Sequence, residues 1–280
     1  VIEDKKFTAN KNVKSPLSDE QVGAIQNSLG SPVSIITGGP GTGKTRIIEG
    51  LAQVLVKKYE KKIRICAPTG RAAKRIAKNP SLQTFKPSTI HMLIATIESS
   101  AGISEIDALI VDESSMIDIN LFKDLVKLVP DGSQLILIGD VDQLPPVGPG
   151  QPFLDLIRSK KVMVSRLTQQ FRQGSKSDIS TVAKAVNRGE VIDYSSDIKS
   201  SDFIFIDVEK RDVVQEITKA LDGFTENGKD RVDLERTQIL SPMRRFPAGL
   251  VNLNAILQEK YNSNSRKVFF LRVSPSIRAL

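Results

Sequence analysis

The residues best suited to do chemistry in this chain begin with Thr37-Gly38-Gly39-Pro40-Gly41-Thr42-Gly43-Lys44-Thr45. The pattern G-x-x-x-x-G-K-T, set between an apolar run and a helical pattern, is that of a phosphate-binding loop. Glycines at 39, 41 and 43 let backbone N–H groups turn inward around a phosphate, with Pro40 and Thr42 between them, and the following helix offers its positive end. Lys44 reaches the β- and γ-phosphates, and the Thr45 hydroxyl is a Mg²⁺ ligand. A plain glycine turn between strand and helix does not need the full motif, so the loop points to a nucleoside triphosphate, ATP being the reading adopted.

Two adjacent acids, Asp112 and Glu113, end the apolar run Ala108–Val111. Alone, such a pair terminates a strand and solvates a loop; beside a phosphate loop, Asp112 suits a Mg²⁺ ion and Glu113 suits the proton of an attacking water. Leu135–Gly139 repeats the plan and delivers Asp140, with Gln143 three residues on, placed to sense a γ-phosphate. Arg172, in Phe171-Arg172-Gln173, is a candidate phosphate clamp, although an isolated arginine is ordinarily a solvated charge. Gln21 follows Ser18 by three residues, which is complete as a capping box. It also suits adenine, to which a carboxamide both donates and accepts, and spacing alone does not choose between the two. After a second apolar run, Pro68-Thr69-Gly70-Arg71 with Lys74 could meet nucleic-acid phosphates or simply open a basic helix. His91, two residues after Thr89, has a local capping turn as its plain explanation.

The elements that must carry these residues alternate. Short apolar runs at 33–36, 63–67, 108–111 and 134–138 are separated by helical patterns, the first starting near Arg46. That alternation predicts an α/β fold with a parallel sheet covered on both faces, whose ligand crevice lies at the strand C-termini. A short apolar run follows at 162–164. Beyond it the spacing predicts helices near 177–188, 211–221 and 249–260, and strands at 203–208 and 237–240, forming a second α/β unit with its own sheet. Residues 1–16, with Lys5, Lys6, Lys11 and Lys14, read as an N-terminal arm. The expected domains are 17–165 and 166–280.

Composition sets the outer limits. The chain has 280 residues and 40 Lys+Arg against 32 Asp+Glu, a net charge of +8 that favours a polyanionic partner. Its one cysteine, Cys66, lies in a strand-like run, which excludes an intramolecular disulfide and suits a reducing cytoplasm. With one His and one Cys a structural zinc site is out of reach. No apolar run approaches the roughly 18 residues of a membrane span, so no membrane association is expected.

Taken in order, these motifs resemble the RecD-type superfamily 1 DNA helicases. Leu17–Gln21 looks like the adenine-reading glutamine motif, and Gly38–Thr45 like the phosphate loop of that family. Ala67–Ala73, Thr89–His91, Asp112–Met116, Gly139–Gly150, Phe171–Gln173 and Ser241–Arg245 with Leu253-Asn254 follow in the family's order. The resemblance implies two RecA-like domains, the second partial here, with Mg²⁺ and ATP in the cleft between them. It implies single-stranded DNA across their tops, contacted from Pro68, Thr69, Gly70, Arg71, His91 and Arg244, with 5′→3′ translocation in DNA repair and recombination. Other subunits of a helicase–nuclease complex are implied as partners. With no Trp and only three Tyr, contacts to the DNA backbone should dominate.

Three departures from the family pattern carry expectations. Only about sixteen residues precede the first motif, and Phe246 stands where the family has glycine, in a turn that needs that freedom. The family's later blocks, resembling Thr-x-His-Lys-x-Gln-Gly and a final arginine, do not occur. The chain is therefore expected to be a motor core truncated at both ends that binds Mg·ATP, hydrolyses it poorly and does not unwind DNA. A nucleotide-binding scaffold subunit or gene remnant is the alternative. A P-loop kinase or AAA-type ATPase accounts for neither GDxxQLPPVGPG nor Phe-Arg-Gln.

Overall fold

In the computed structural model the described residues are 17–99, 106–171, 177–194, 202–223 and 237–262. The segments outside them include the N-terminal arm and Arg172, for which the structure gives no account. The chain divides into two compact units, Val1–Ile192 and Asp193–Leu280.

The first unit is built on six strands: β1 (Val33–Gly38), β2 (Ile63–Ala67), β3 (Ser88–Thr89), β4 (Ala108–Val111), β5 (Gln134–Gly139) and β6 (Met163–Leu167). Their spatial order is β3-β2-β4-β5-β1-β6, and each paired neighbour is parallel. The helices between them are α1 (Asp19–Leu29), α2 (Lys44–Lys57), α3 (Gly70–Ala77), α4 (Pro80–Gln83), α5 (Ile90–Ser99), α6 (Ile119–Lys127) and α7 (Pro152–Ser159), followed by α8 (Asp178–Arg188). Strand alternation explains why helices cover both faces. Ile36, Ile65, Ile110, Ile136 and Ile138 pack with Ile25 of α1, Ile48 and Leu51 of α2 and Ile76 of α3. Their sequence neighbours Ile35, Cys66, Leu109, Val111, Leu135 and Leu137 pack on the other side with Leu93, Leu125, Phe153 and Ile157. Both side-chain sets are apolar, as a parallel sheet buried on both faces requires. Cys66 is fully buried, and that burial pushes its thiol up, away from reactivity.

β6 moves a boundary. The run at 162–164 extends to Leu167 and pairs with β1 from Ser34↔Met163 to Gly38↔Leu167. The expected division between 165 and 166 therefore falls inside a strand of the first sheet, and the compact unit continues to Ile192. The reason is non-local: β1 has a free edge opposite β5, and pairing satisfies the backbone of both strands.

In the second unit, α9 (Val213–Gly223) and α10 (Leu250–Asn262) form near the expected positions. Leu221, Leu253 and Leu257 make a small core with Val214, Ile217, Ile239 and Tyr261. Tyr261 donates to Asp222 at 2.6 Å and Lys260 pairs with the same carboxylate at 2.7 Å, which ties α10 to α9. The strands expected at 203–208 and 237–240 are not formed, and no sheet occurs among the described residues of this unit. Ile204, Phe205 and Ile206 remain exposed. β-branched and aromatic residues make a run strand-competent, but without a partner ladder it does not become a strand. Phe246 adopts φ 80°, so the turn does use the left-handed region in which glycine is at ease.

Among the described residues no helix is long and apolar enough to cross a membrane.

Candidate active site

The phosphate loop leaves β1 at Gly38 and enters α2 at Lys44, with Gly41 at φ 81° and Gly43 at φ 82°. The Thr42 hydroxyl donates to Gly39 O at 2.9 Å, closing the loop on itself. Lys44 Nζ donates to the carbonyl oxygens of Gly38 and Gly39, the latter at 3.1 Å. The ammonium is thereby held within the loop. Thr45 sits in the first turn of α2.

Gln21 turns out to do two things at once. It completes the capping box with Ser18, its Oε1 accepting from Ser18 N at 3.1 Å, and its Nε2 donates to Thr42 O at 3.0 Å. The side chain is 1% exposed. The glutamine thus fastens α1 to the phosphate loop through both ends of its carboxamide.

The segment after β6 closes on the loop from the other side. Phe171 N donates to Gly41 O at 2.9 Å. Glu20 holds this segment in place. Its carboxylate accepts from Thr168 N at 2.9 Å and Gln169 N at 3.1 Å, and from the Thr168 hydroxyl at 2.5 Å. The Thr168 hydroxyl and the two backbone N–H groups hold the Glu20 carboxyl below its ordinary value. No local signal in the sequence gives Glu20 its long-range partners. Since its pKa is lower folded than unfolded, its contribution to stability is present above the usual carboxylate range and lost as pH falls through the folded value. Glu20→Gln should cost about 1 kcal/mol near pH 7, solvent screening included, and progressively less as the pH is lowered toward 3. Paired denaturant unfolding across that range measures it; a pH-independent difference would mean that shape rather than charge holds the segment.

The carboxylates stand at the ends of β4 and β5, on the same C-terminal edge of the sheet as the loop. Asp112 is 1% exposed, and its Oδ1 accepts from Glu113 N at 3.0 Å. Glu113 takes φ 53°, a conformation that costs a non-glycine residue on the order of 1 kcal/mol and is typical of functional turns. It is held there as Ser114 Oγ donates to Val111 O at 2.9 Å and a short 3₁₀ turn, Ser114–Met116, follows. Burial pushes the Asp112 carboxyl up, and the neighbouring Glu113 charge adds to the effect, against the pull of Arg75. Asp140, 2% exposed, is likewise raised by burial, while the Asp142 N–H, Lys44 and the Gln143 side chain oppose the rise. Val141 N donates to Thr37 Oγ1 at 3.2 Å, which pins the Asp140–Gln143 turn to β1. Gln143 is exposed on that turn.

Asp112 and Thr45 are the residues that would hold a divalent metal. Among the described residues no group of three or more His, Cys, Asp and Glu could hold a metal ion. A small set of hard oxygen donors suits Mg²⁺, which keeps waters and phosphate oxygens in its shell rather than a protein cage. Glu113 Oε2 is buried without a hydrogen-bond partner, an acceptor beside Asp112 that suits a metal-bound or attacking water. The donor set fits the ion.

The expected nucleic-acid residues divide between the two units. Pro68, Thr69, Gly70 and Arg71 follow β2 onto the same sheet edge, where Thr69 caps α3 by accepting from Ala72 N at 3.2 Å. His91 is exposed on α5, which Thr89 caps through Met92 N. Arg244 belongs to the second unit, exposed in a turn pinned by Ser241, whose hydroxyl donates to Ala248 O at 2.7 Å. Arg172 lies outside the described residues. Besides Glu20, a second charged residue has partners that the sequence does not announce: Arg75 of α3, whose Nη2 lies 2.8 Å from Glu113 Oε1 and 3.0 Å from Asp112 Oδ2. Its four-residue spacing from Arg71 was the available hint, since both fall on one helix face.

Comparison with known proteins agrees with this geometry. A family model described as "AAA domain" matches residues 16–205. The ATP-dependent RecD2 DNA helicase of Deinococcus radiodurans is 32% identical over 265 residues, covering 90% of this chain and 34% of that protein. The RecBCD enzyme subunit RecD of Haemophilus influenzae is 36% identical over 164 residues, 49% of this chain and 26% of that one. RecD of Mycobacterium tuberculosis H37Rv is 30% identical over 199 residues, 61% and 35% respectively. The chain thus spans about a third or less of the length of these relatives. The Pif1 helicase of Candida albicans is a structural neighbour at TM-score 0.49 and 24% identity, over 75% of this chain and 55% of that one, and adds nothing to the assignment. The matched description sits where the motifs had argued against an AAA-type ATPase; the RecD relatives match there too, so the two descriptions name one domain. With its nucleotide-binding loop, paired acids and parallel sheet accounted for together, the chain belongs to the AAA-domain family and, within it, is of the RecD-type superfamily 1 helicase kind.

Proposed function

We propose that this chain is the ATP-driven motor segment of a RecD-like DNA helicase acting in DNA repair and recombination. The observation that carries the reading is the gathering of the phosphate loop, the Asp112–Glu113 pair and the Asp140–Gln143 turn on one sheet edge, from which the basic start of α3 also departs. Backbone N–H groups of Gly39 and Gly41–Lys44 receive the phosphates, and Lys44 exchanges loop carbonyls for phosphate oxygens. Gln21, next to the loop, reads the adenine by exchanging its bonds to Ser18 and Thr42 for the base. Thr45 and Asp112 would hold Mg²⁺, which when bound offsets the charge of the phosphate oxygens. Glu113 accepts the proton of the attacking water, Gln143 senses the γ-phosphate, and Arg172 clamps it. Single-stranded DNA is held by its backbone at Pro68, Thr69, Gly70, Arg71 and His91, Arg244 is a separate contact to the DNA backbone, and translocation runs 5′→3′. The setting is the cytoplasm, and partner subunits of a helicase–nuclease complex follow from the relatives named as RecBCD subunits.

Single-stranded DNA should raise the rate of ATP hydrolysis several-fold, with the stimulation falling steeply as salt rises. Lys44→Ala should bring hydrolysis to background, a loss of about a hundredfold or more, with the fold intact by circular dichroism. Hydrolysis indifferent to DNA at every salt concentration would favour a nucleotide-binding scaffold instead.

A further inference from the structure

Arg75 has no role in the reading above. It stands on α3 one turn beyond Arg71, and a single guanidinium nitrogen, Nη2, donates to both Glu113 Oε1 at 2.8 Å and Asp112 Oδ2 at 3.0 Å. The cation is reached by solvent, its side chain 54% exposed, whereas the Asp112 and Glu113 side chains are 1% and 13% exposed. Two adjacent carboxylates withdrawn from water repel one another, and a positive charge between them relieves that repulsion. A divalent metal at Asp112 would supply the same relief. Each Asp112 oxygen has one partner, Oδ1 the neutral Glu113 N–H and Oδ2 the Arg75 guanidinium, so Oδ2 is the oxygen on which a cation already stands. Arg75 and a metal ion thus have the same partner.

We propose that Arg75 is a positioning residue that occupies the catalytic carboxylates in place of the divalent cation and gives way to it. This deepens the proposed motor site and rests on that reading. The side chain is long and half-exposed, so it can swing into water without disturbing the buried face of α3, which is held by Ala72, Ala73 and Ile76. While in place it holds both carboxylates aimed at one guanidinium nitrogen and covers the Asp112 oxygen that a metal ion would need. The release of this contact is therefore a requirement for turnover and not a side effect of it.

The test is Mn²⁺ binding to the nucleotide-free 280-residue chain, followed by electron paramagnetic resonance. Arg75→Gln should bind Mn²⁺ roughly three- to tenfold more tightly than the parent chain, since a solvent-screened positive charge has been removed beside the ligand. Arg75→Lys, which keeps the charge, should stay within about twofold of the parent. A purely structural role would lower the melting temperature without tightening metal binding. Unchanged or weaker Mn²⁺ binding in a folded Arg75→Gln chain overturns the proposal, weaker binding meaning that Arg75 builds the metal site. Should Arg75→Gln fail to fold, Arg75→Ala in a background of Glu113→Gln, where one like charge is gone, carries the same comparison. No nucleotide or DNA enters this titration, so a failure of ATP binding or DNA stimulation in the parent chain would count against the motor reading separately.

Discussion

Replacing Glu113 by glutamine should lower ATP turnover about a thousandfold while ATP and Mg²⁺ still bind. The two carboxylates at the end of β4 have unequal surroundings, and that inequality divides the labour. Asp112 is the more buried and bonds to the Glu113 N–H, which suits it to the proposed role of metal ligand. Glu113, at φ 53°, keeps a buried Oε2 without a hydrogen-bond partner, the oxygen proposed to take the proton. Glutamine has the same length, and its amide oxygen can still accept from Arg75, so the substitution removes basicity and little else. It also removes a negative charge beside Asp112. Burial first, then that charge, raise the Asp112 carboxyl, and a carboxyl raised in the folded state loses stability for the fold as pH climbs through the window above its ordinary value. Glu113→Gln should therefore melt at or slightly above the parent near neutral pH while failing to hydrolyse ATP. Single-turnover hydrolysis and fluorescent-nucleotide binding, measured side by side, separate the two effects. A fall of less than about tenfold would move the proton acceptor elsewhere, and Asp140, the other buried acid on this edge, would be next in line.

What the sequence disclosed and what it hid divide along one line, the reach of the interactions. The phosphate loop, the capping box at Ser18 and the acids ending β4 and β5 are local patterns, each decided within a few residues, and all are where spacing put them. Gln21 shows the limit: its capping partner Ser18 was nameable, but that the same carboxamide would also grip Thr42 depends on the packing of α1 beside the loop. Arg75 was hidden because α3 is basic along much of its length, with Arg71, Lys74 and Arg75, and Lys78 just past its end. Which of these cations meets Asp112 is settled by β2 lying next to β4. β6 was legible as an apolar run but not as a member of the first sheet, since the edge of β1 that receives it is fixed only when the sheet assembles. The runs at 203–208 and 237–240 err in the opposite direction, for the same reason: propensity identifies residues that tolerate a strand, and only a neighbour makes one.

Gly43→Ala should damage both the fold and the nucleotide site, and the two losses have one origin. Gly43 sits at φ 82°, where an alanine costs about 1–2 kcal/mol for its backbone alone. A Cβ there would also lie 2.3 Å from Gln21 Nε2. The glutamine is flexible in itself but is buried and bonded at both ends, so yielding means giving up its bond to Thr42 O, about 1 kcal/mol more. A total of roughly 2–3 kcal/mol is expected in denaturant unfolding of the first unit. Nucleotide affinity should fall by a hundredfold or more, because the loop N–H groups that must converge on a phosphate are the ones displaced. The double variant Gln21→Ala/Gly43→Ala tells the two causes apart. Removing the amide clears the clash but leaves the backbone strain, so its loss of stability should be smaller than the sum of the single losses by about 1 kcal/mol. Strict additivity would show that Gln21 and Gly43 act independently, and the contact between α1 and the phosphate loop would then have no part in shaping the site.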